Sequence, residues 1–107
     1  MKVLLDECVD VDLRKSIVGH DVFTVTYMKW KGLKNGDLLS RAVGEGFGVF
    51  VTTDRIVPYE QHVATLQLAV IVLHALTNDI EDLEPLVPAL LAALNHVKPR
   101  TVIRIGA

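Results

Sequence analysis

The chain has 107 residues, a formal net charge of −2 and 50% hydrophobic residues, which predict one compact domain over residues 1–107 with a substantial core. No apolar run reaches the roughly 18 residues of a membrane-spanning helix, and the N-terminus lacks the charged, apolar and small-residue order of a signal peptide. The single cysteine, Cys8, fits a cytoplasmic protein without disulfide bonds, and the slight negative charge argues against a strongly basic nucleic-acid binder but not against a metal-dependent nuclease.

The first predicted element is a buried strand that ends in two acids. Val3, Leu4 and Leu5 form a short apolar run, which Asp6 and Glu7 end abruptly. Such a run is typical of a central parallel strand. Open α/β sheets bind ligands in the crevice outside the carboxyl ends of their strands, so both acids are candidate site residues. The alternative is that they begin a loop or cap a helix, as Asp often does.

A helix and a second strand are predicted next. Val9, Leu13 and Ile17 recur at helical spacing, which predicts a helix over about residues 10–18. The β-branched and aromatic side chains of residues 20–25 predict a strand.

The loop over residues 26–33 interleaves aromatic side chains with lysines. Lys29, Lys31 and the following Lys34 can neutralise phosphates, and the aromatic rings can stack on bases. The alternative is that Trp30 covers the core and that the lysines are simply solvated.

The next helix is predicted to have Asn35 as its N-cap and to end near residues 44–46. Asp37 lies in its first turn, where an acid commonly compensates the helix dipole. Its functional interpretation is the third acid of a metal cluster, because in a parallel sheet a helix start faces the same edge as the strand ends.

A second acid-tipped strand follows over residues 48–53 and ends at Asp54. If the two acid-tipped strands are parallel neighbours, Asp6 and Asp54 end side by side. Two such carboxylates repel each other unless a cation or a shared proton lies between them. With Asp37 nearby, the pattern predicts a divalent-metal site, and Arg55 is a candidate contact for a phosphate group.

The remainder of the chain completes an alternating pattern. Residues 68–73 form the strongest apolar run and predict a buried strand, and residues 101–105 predict a final strand. Between them a helix is predicted with an apolar stripe that ends at Leu94. Because Pro85 and Pro88 interrupt a continuous helix, it either begins near Asp79 and kinks or begins near Pro85. The alternation of five strands with helices predicts an α/β fold with a mainly parallel sheet and helices on both faces.

Five segments resemble a known family: VLLDEC, GHDVFTV, KGLKNGDLL, VFVTTDRIVPYEQ and AVIVLHA. Over nearly the whole chain they resemble bacterial PIN-like proteins, which are relatives of the VapC-like toxin ribonucleases. The resemblance implies a three-layer α/β/α sandwich and Mg²⁺- or Mn²⁺-dependent cleavage of RNA. The metal ligands that it implies are Asp6, Glu7, Asp37 and Asp54.

Two positions differ from the family pattern. Cys8 stands where members usually have Asn, and Asn35 stands where many have an acid. A thiol makes only weakly the hydrogen bonds by which an Asn positions a ligand. The alternative to a ribonuclease is therefore a catalytically degenerate PIN-like module that binds RNA or protein.

The prediction is a metal-dependent endoribonuclease, with the toxin of a toxin–antitoxin pair as one form of it. Asp6, Asp37 and Asp54 are its predicted catalytic residues. The residues predicted to guide the RNA backbone are Lys29, Lys31, Lys34 and Arg55. An antitoxin protein is an implied partner, and the small, apolar chain also makes a homodimer plausible.

A phosphorylation receiver domain is the third interpretation. Receivers also carry acids after the first strand and an Asp after the third, and they bind Mg²⁺. They need a Lys at the end of the last strand, where this chain has Arg104-Ile105-Gly106-Ala107. Thr77 is a poor match for their switch hydroxyl.

Overall fold

The computed structural model describes residues 1–54 and 63–106, which form an α/β fold around one parallel sheet. Its strands are β1 (Lys2–Leu5), β2 (Asp21–Thr24), β3 (Val49–Thr52), β4 (Ala69–His74) and β5 (Val102–Gly106). The strand order is β2-β1-β3-β4-β5, and every neighbouring pair is parallel. The prediction of an α/β fold with a mainly parallel five-stranded sheet is confirmed.

Helical segments connect the strands. A 3₁₀ helix (Val11–Ser16) lies between β1 and β2, and α1 (Asn35–Gly44) precedes β3. Between β4 and β5 the chain forms α2 (Ile80–Leu83), a 3₁₀ turn (Glu84–Leu86) and α3 (Val87–Leu94). Within the described part of the chain, none of the helices combines the length and apolar character needed to cross a membrane.

The sheet is buried on both faces, which explains why its strands are almost continuously apolar. One face packs against the 3₁₀ helix and the helices after β4, through buried residues Val3, Leu5, Val51, Ile71, Leu13, Leu83 and Leu90. The other packs against α1 and the loop after β2, through buried residues Leu4, Phe50, Val70, Trp30, Leu38 and Leu39. Neighbouring residues along a strand thus enter different cores.

Three predicted helices differ in detail. The helix expected over residues 10–18 is a six-residue 3₁₀ helix, Val11–Ser16, because apolar spacing specifies the buried face but not the hydrogen-bond pattern. The expected N-cap, Asn35, already belongs to α1, and the extended cap position is Lys34. The helix over residues 79–94 is divided into three segments, since proline cannot donate a helical hydrogen bond.

The parallel topology brings the ends of all five strands to one edge of the sheet. We call the edge where the parallel strands end the carboxyl edge. From β1 the chain crosses to β2 on one side, whereas β3, β4 and β5 extend to the other side. In sheets of this order, the crevice between the ends of β1 and β3 is where ligands bind. This is the crevice to which Asp6 and Asp54 belong.

Candidate active site

The ends of β1 and β3 bring two predicted site residues to the same place. Leu5 pairs with Val51 in the parallel register, and the backbone N–H of Asp6 donates to the Val51 carbonyl at 2.9 Å. Asp54 follows two residues after the end of β3. The two acid-tipped strands are therefore parallel neighbours, which is the condition under which Asp6 and Asp54 end side by side.

A buried hydroxyl links the two acids. Thr52 is fully buried, and its Oγ1 donates to Asp6 Oδ2 at 2.8 Å. The same oxygen accepts the backbone N–H of Asp54 at 3.1 Å. A hydroxyl has one hydrogen to donate and lone pairs to accept with, so Thr52 uses both capacities here. It fixes the orientation of the Asp6 carboxylate and the direction in which the chain leaves β3.

Cys8 forms a second link between the segments that follow β1 and β3. The Thr53 Oγ1 hydroxyl donates to Cys8 Sγ at 3.1 Å, and the thiol lies 3.4 Å from Asp6 Oδ2 as a donor. Cys8 is half-buried and also packs against the core on the 3₁₀-helix side. The thiol thus joins the segments that follow β1 and β3, although its hydrogen bonds are weaker than those of a hydroxyl or amide group.

These residues line an open cavity of about 380 Å³, which we call the carboxylate cleft. Its lining residues are Asp6, Glu7, Cys8, Thr53, Asp54 and Asn78. The three acids make it electronegative, and carboxylate, hydroxyl and amide oxygens are the donors that hard cations such as Mg²⁺ and Mn²⁺ prefer. The chemistry of the donor set therefore fits the implied metal.

The geometry does not complete a cluster of ligands. Among residues 1–54 and 63–106, no group of three or more His, Cys, Asp or Glu side chains is arranged to hold a metal ion. Asp37 lies in the first turn of α1, as expected, but it lines a separate cavity of about 250 Å³ with Ser40 and Thr65. The structure thus brings Asp6, Glu7 and Asp54 to one cleft and leaves Asp37 outside it.

The lysines predicted to guide RNA lie on one connection. Lys29, Lys31 and Lys34 are exposed and precede or begin α1 after the end of β2. Trp30 is only 6% exposed and packs edge-on against Phe47 at 5.9 Å between ring centroids, so it covers the core and does not present a base-stacking surface. Arg55, the fourth predicted contact, lies outside the described residues.

Sequence reasoning missed three residues that shape the cleft. Thr52 had a weak signal, since it stands two residues before Asp54. Asn78 had no signal of a role in a site. It reaches the cleft through the turn before α2, where the Thr77 hydroxyl donates to the Asp82 carboxylate and accepts the Asp79 N–H. Asp10 does not line the cleft, but its carboxylate joins the 3₁₀ helix to the start of α2.

Comparison with known proteins finds no matching family model, no matching curated protein and no matching solved structure.

Proposed function

We propose that the chain is a metal-dependent endoribonuclease of the PIN-like type, with Mg²⁺ or Mn²⁺ as its cofactor and the carboxylate cleft as its active site. One observation carries the proposal. Asp6 and Asp54 extend from adjacent parallel strands at the β1/β3 crevice, and a single buried hydroxyl, that of Thr52, hydrogen-bonds to both residues. Such an arrangement concentrates negative charge where this topology binds ligands.

The roles follow from the positions. Asp6 and Asp54 would hold the cation directly, and Glu7 and Asp37 would act on it through water, Asp37 from its own cavity. When bound, a divalent cation supplies an activated water and stabilises negative charge on the phosphate. Thr52 keeps the Asp6 carboxylate oriented. The exposed Lys29, Lys31 and Lys34 attract the RNA backbone and hold it near the cleft.

The experiment that tests this proposal is Mn²⁺ binding by calorimetry, with and without a short single-stranded RNA. We expect the wild-type chain to bind Mn²⁺ and the Asp54→Asn variant to lose that binding. Asp12→Asn, which removes an exposed acid within the 3₁₀ helix, is the matched control and should bind as the wild type does. A folded wild-type protein that binds no Mn²⁺ even with RNA present contradicts the proposal.

A receiver domain is the second candidate, because the observed strand order is also that of the flavodoxin-like folds to which receivers belong. Two features favour the nuclease. The residues of β5 are Val-Ile-Arg-Ile-Gly, without the Lys that a receiver requires. The Thr77 hydroxyl is bonded to Asp82 within its turn. Incubation with a small phosphodonor separates the two functions, since only a receiver gains a phosphoryl group on Asp54.

A non-cleaving PIN-like module that binds RNA or protein is favoured by a different observation, the placement of Asp37 outside the carboxylate cleft. This alternative predicts that the chain retains a labelled RNA without shortening it, at any Mn²⁺ concentration. The ribonuclease proposal predicts shortened products that do not form when EDTA is present.

If the ribonuclease acts as the toxin of a toxin–antitoxin pair in the cytoplasm, its expression should arrest bacterial growth. We expect the Asp6→Asn variant to be harmless at the same protein level. Growth arrest by both proteins would mean that toxicity does not depend on the carboxylate cleft.

A further inference from the structure

A second cavity opens at the carboxyl edge beside the first. It has a volume of about 310 Å³ and is lined by Asp6, Glu7, Val9, Val11, Thr24 and Thr26. We call it the β1–β2 pocket. It shares Asp6 and Glu7 with the carboxylate cleft, and β2 and β3 flank β1 on opposite sides. The two cavities therefore lie on either side of the end of β1, with these two acids between them.

The lining of the β1–β2 pocket combines three kinds of group. Most of its apolar surface comes from Val11, which is 58% exposed at the start of the 3₁₀ helix, whereas Val9 also lines the pocket but is only 5% exposed. Thr24 and Thr26 add two hydroxyls. Thr24 Oγ1 already accepts the Tyr27 N–H at 3.0 Å, so its own hydrogen is left to donate to a ligand. The carboxylates of Asp6 and Glu7 can only accept.

We propose that the β1–β2 pocket binds one unpaired nucleobase that carries an exocyclic amino group, as adenine, cytosine and guanine do. The flat ring lies against the valines, the amino group donates to the Glu7 carboxylate, and a threonine hydroxyl bonds to a ring acceptor. The volume is at the lower end of small-ligand sites, which start at about 300 Å³, and so suits a single base. Taking the base from RNA rests on the proposed ribonuclease function, because the adjoining cleft would then hold the neighbouring phosphate.

The charge of the pocket disfavours two other kinds of small occupant, anions and purely apolar groups. A phosphate group would be repelled by the two carboxylates at its rim. A purely apolar group would cover their oxygens without offering a hydrogen, and desolvating an acceptor without a partner costs about 1–3 kcal/mol. An amino-bearing base satisfies both the apolar surface and the acceptors. Uracil has no amino group, and its ring N–H lies between two carbonyl oxygens that the Glu7 carboxylate would repel.

The test uses uncharged nucleosides and needs neither metal nor cleavage. Cytidine and uridine are titrated separately into the ¹⁵N-labelled wild-type chain without divalent ions, and amide chemical shifts are followed by NMR. We expect cytidine to shift the amides of Val11, Thr24 and Thr26, and to bind about tenfold more tightly than uridine, as one base-edge contact implies. Shifts that are absent, that map elsewhere, or that are equal for the two nucleosides overturn the proposal.

Two variants sharpen the result. Val11→Ser removes apolar surface from the pocket and should weaken cytidine binding about fivefold. Val18→Ser is its matched control, because Val18 is also exposed, at 68%, but does not line the pocket. Glu7→Gln replaces two acceptors by an acceptor and a donor, so the preference for cytidine over uridine should largely disappear. A preference that survives in Glu7→Gln overturns the assignment.

The outcome is independent of catalysis. Cytidine binding at the β1–β2 pocket, together with a wild-type chain that neither binds Mn²⁺ nor cuts RNA, supports the base site and contradicts the ribonuclease. RNA cleavage without nucleoside shifts at this pocket supports the ribonuclease and contradicts the base site.

Discussion

Asp6 and Asp10 lie four residues apart on the segment that follows β1, yet their carboxylates have different partners. The Asp6 carboxylate lines the carboxylate cleft and accepts hydrogen bonds from the Thr52 hydroxyl and the Glu7 N–H. The Asp10 carboxylate caps two helical segments, since Oδ1 accepts the Asp12 N–H at 3.0 Å and Oδ2 accepts the Ile80 N–H at 3.1 Å. One acid therefore faces the candidate chemistry and the other supports the architecture.

The difference shows how a short segment both forms a cleft and holds it in place. Asp10 joins the start of the 3₁₀ helix to the start of α2 through its hydrogen bond to Ile80, which lies 70 residues further along the chain. Asn78, which lines the cleft, lies just before α2. The position of that wall of the cleft thus depends on Asp10, although Asp10 itself does not line it.

The largest expected effect comes from exchanging the same functional group at the two positions. Asp6→Asn should reduce RNA cleavage at least about 100-fold, because even outer partners of metal ligands are worth roughly 10–100-fold. Asp10→Asn is the matched control with the same change in charge. Asn keeps only one of the two acceptor oxygens, so this variant should lose about 1 kcal/mol of stability with one of the two bonds. It should keep most of its activity, because Asp10 does not line the cleft. The measurement is cleavage of a labelled RNA in Mn²⁺, with thermal melting to confirm that both variants fold.

Equal losses of activity in the two amide variants would contradict the assignment of separate roles. Such a result would mean that the charge of the whole segment, and not the position of Asp6, determines cleavage. RNA cleavage by Asp6→Asn at the wild-type level would contradict the proposal that the carboxylate cleft is the active site.

The loss of stability should be larger at Asp10 than at Asp6, which is the reverse of the order expected for RNA cleavage. Asp10→Ala removes the acceptor for two backbone N–H groups, each worth about 1 kcal/mol as a cap, so the free energy of unfolding should fall by about 2 kcal/mol. Urea denaturation should show a lower midpoint with an unchanged slope. Asp6→Ala should lose less, because the lost bond to Thr52 is offset by relief of the repulsion among the three carboxylates of the cleft. A larger loss for Asp6→Ala would invert the comparison.

Thr52 offers a smaller test that affects both properties. Thr52→Val keeps the shape but removes the hydroxyl that bonds to Asp6 and to the Asp54 N–H. We expect a loss of about 1 kcal/mol in unfolding free energy and about tenfold in cleavage at saturating Mn²⁺. Thr53→Val, which removes the donor to Cys8 Sγ, is the control and should change cleavage less. If Thr53→Val has the larger effect, the thiol link and not the buried hydroxyl positions the site.

The division between Asp6 and Asp10 also shows what the sequence predicts and what it does not. Continuous apolar runs predict strands that are buried on both faces and therefore parallel. Acids at the ends of two such strands predict that Asp6 and Asp54 lie at the same edge of the sheet. Those features are local or follow from topology. Asp37 was placed correctly in the first turn of α1, but its separate cavity depends on how that helix packs. The bond from Asp10 to Ile80 and the position of Asn78 depend on contacts between distant segments, for which a single sequence has no periodic signal.

The smallest expected effect concerns the exposed lysines of the connection between β2 and α1. Replacing one lysine that contacts a phosphate should lower the slope of log affinity against log salt by about 0.7 for single-stranded RNA. We expect this change for Lys31→Gln, measured by fluorescence anisotropy over a range of salt concentrations. Lys98→Gln is the matched control, because Lys98 is also exposed but precedes β5, at the edge of the sheet opposite to the strand ends. Equal slopes for the two variants would mean that RNA approaches the chain without using the loop after β2. A reduced slope for Lys31→Gln alone would place the RNA path on the carboxyl edge, on the same side as Asp6.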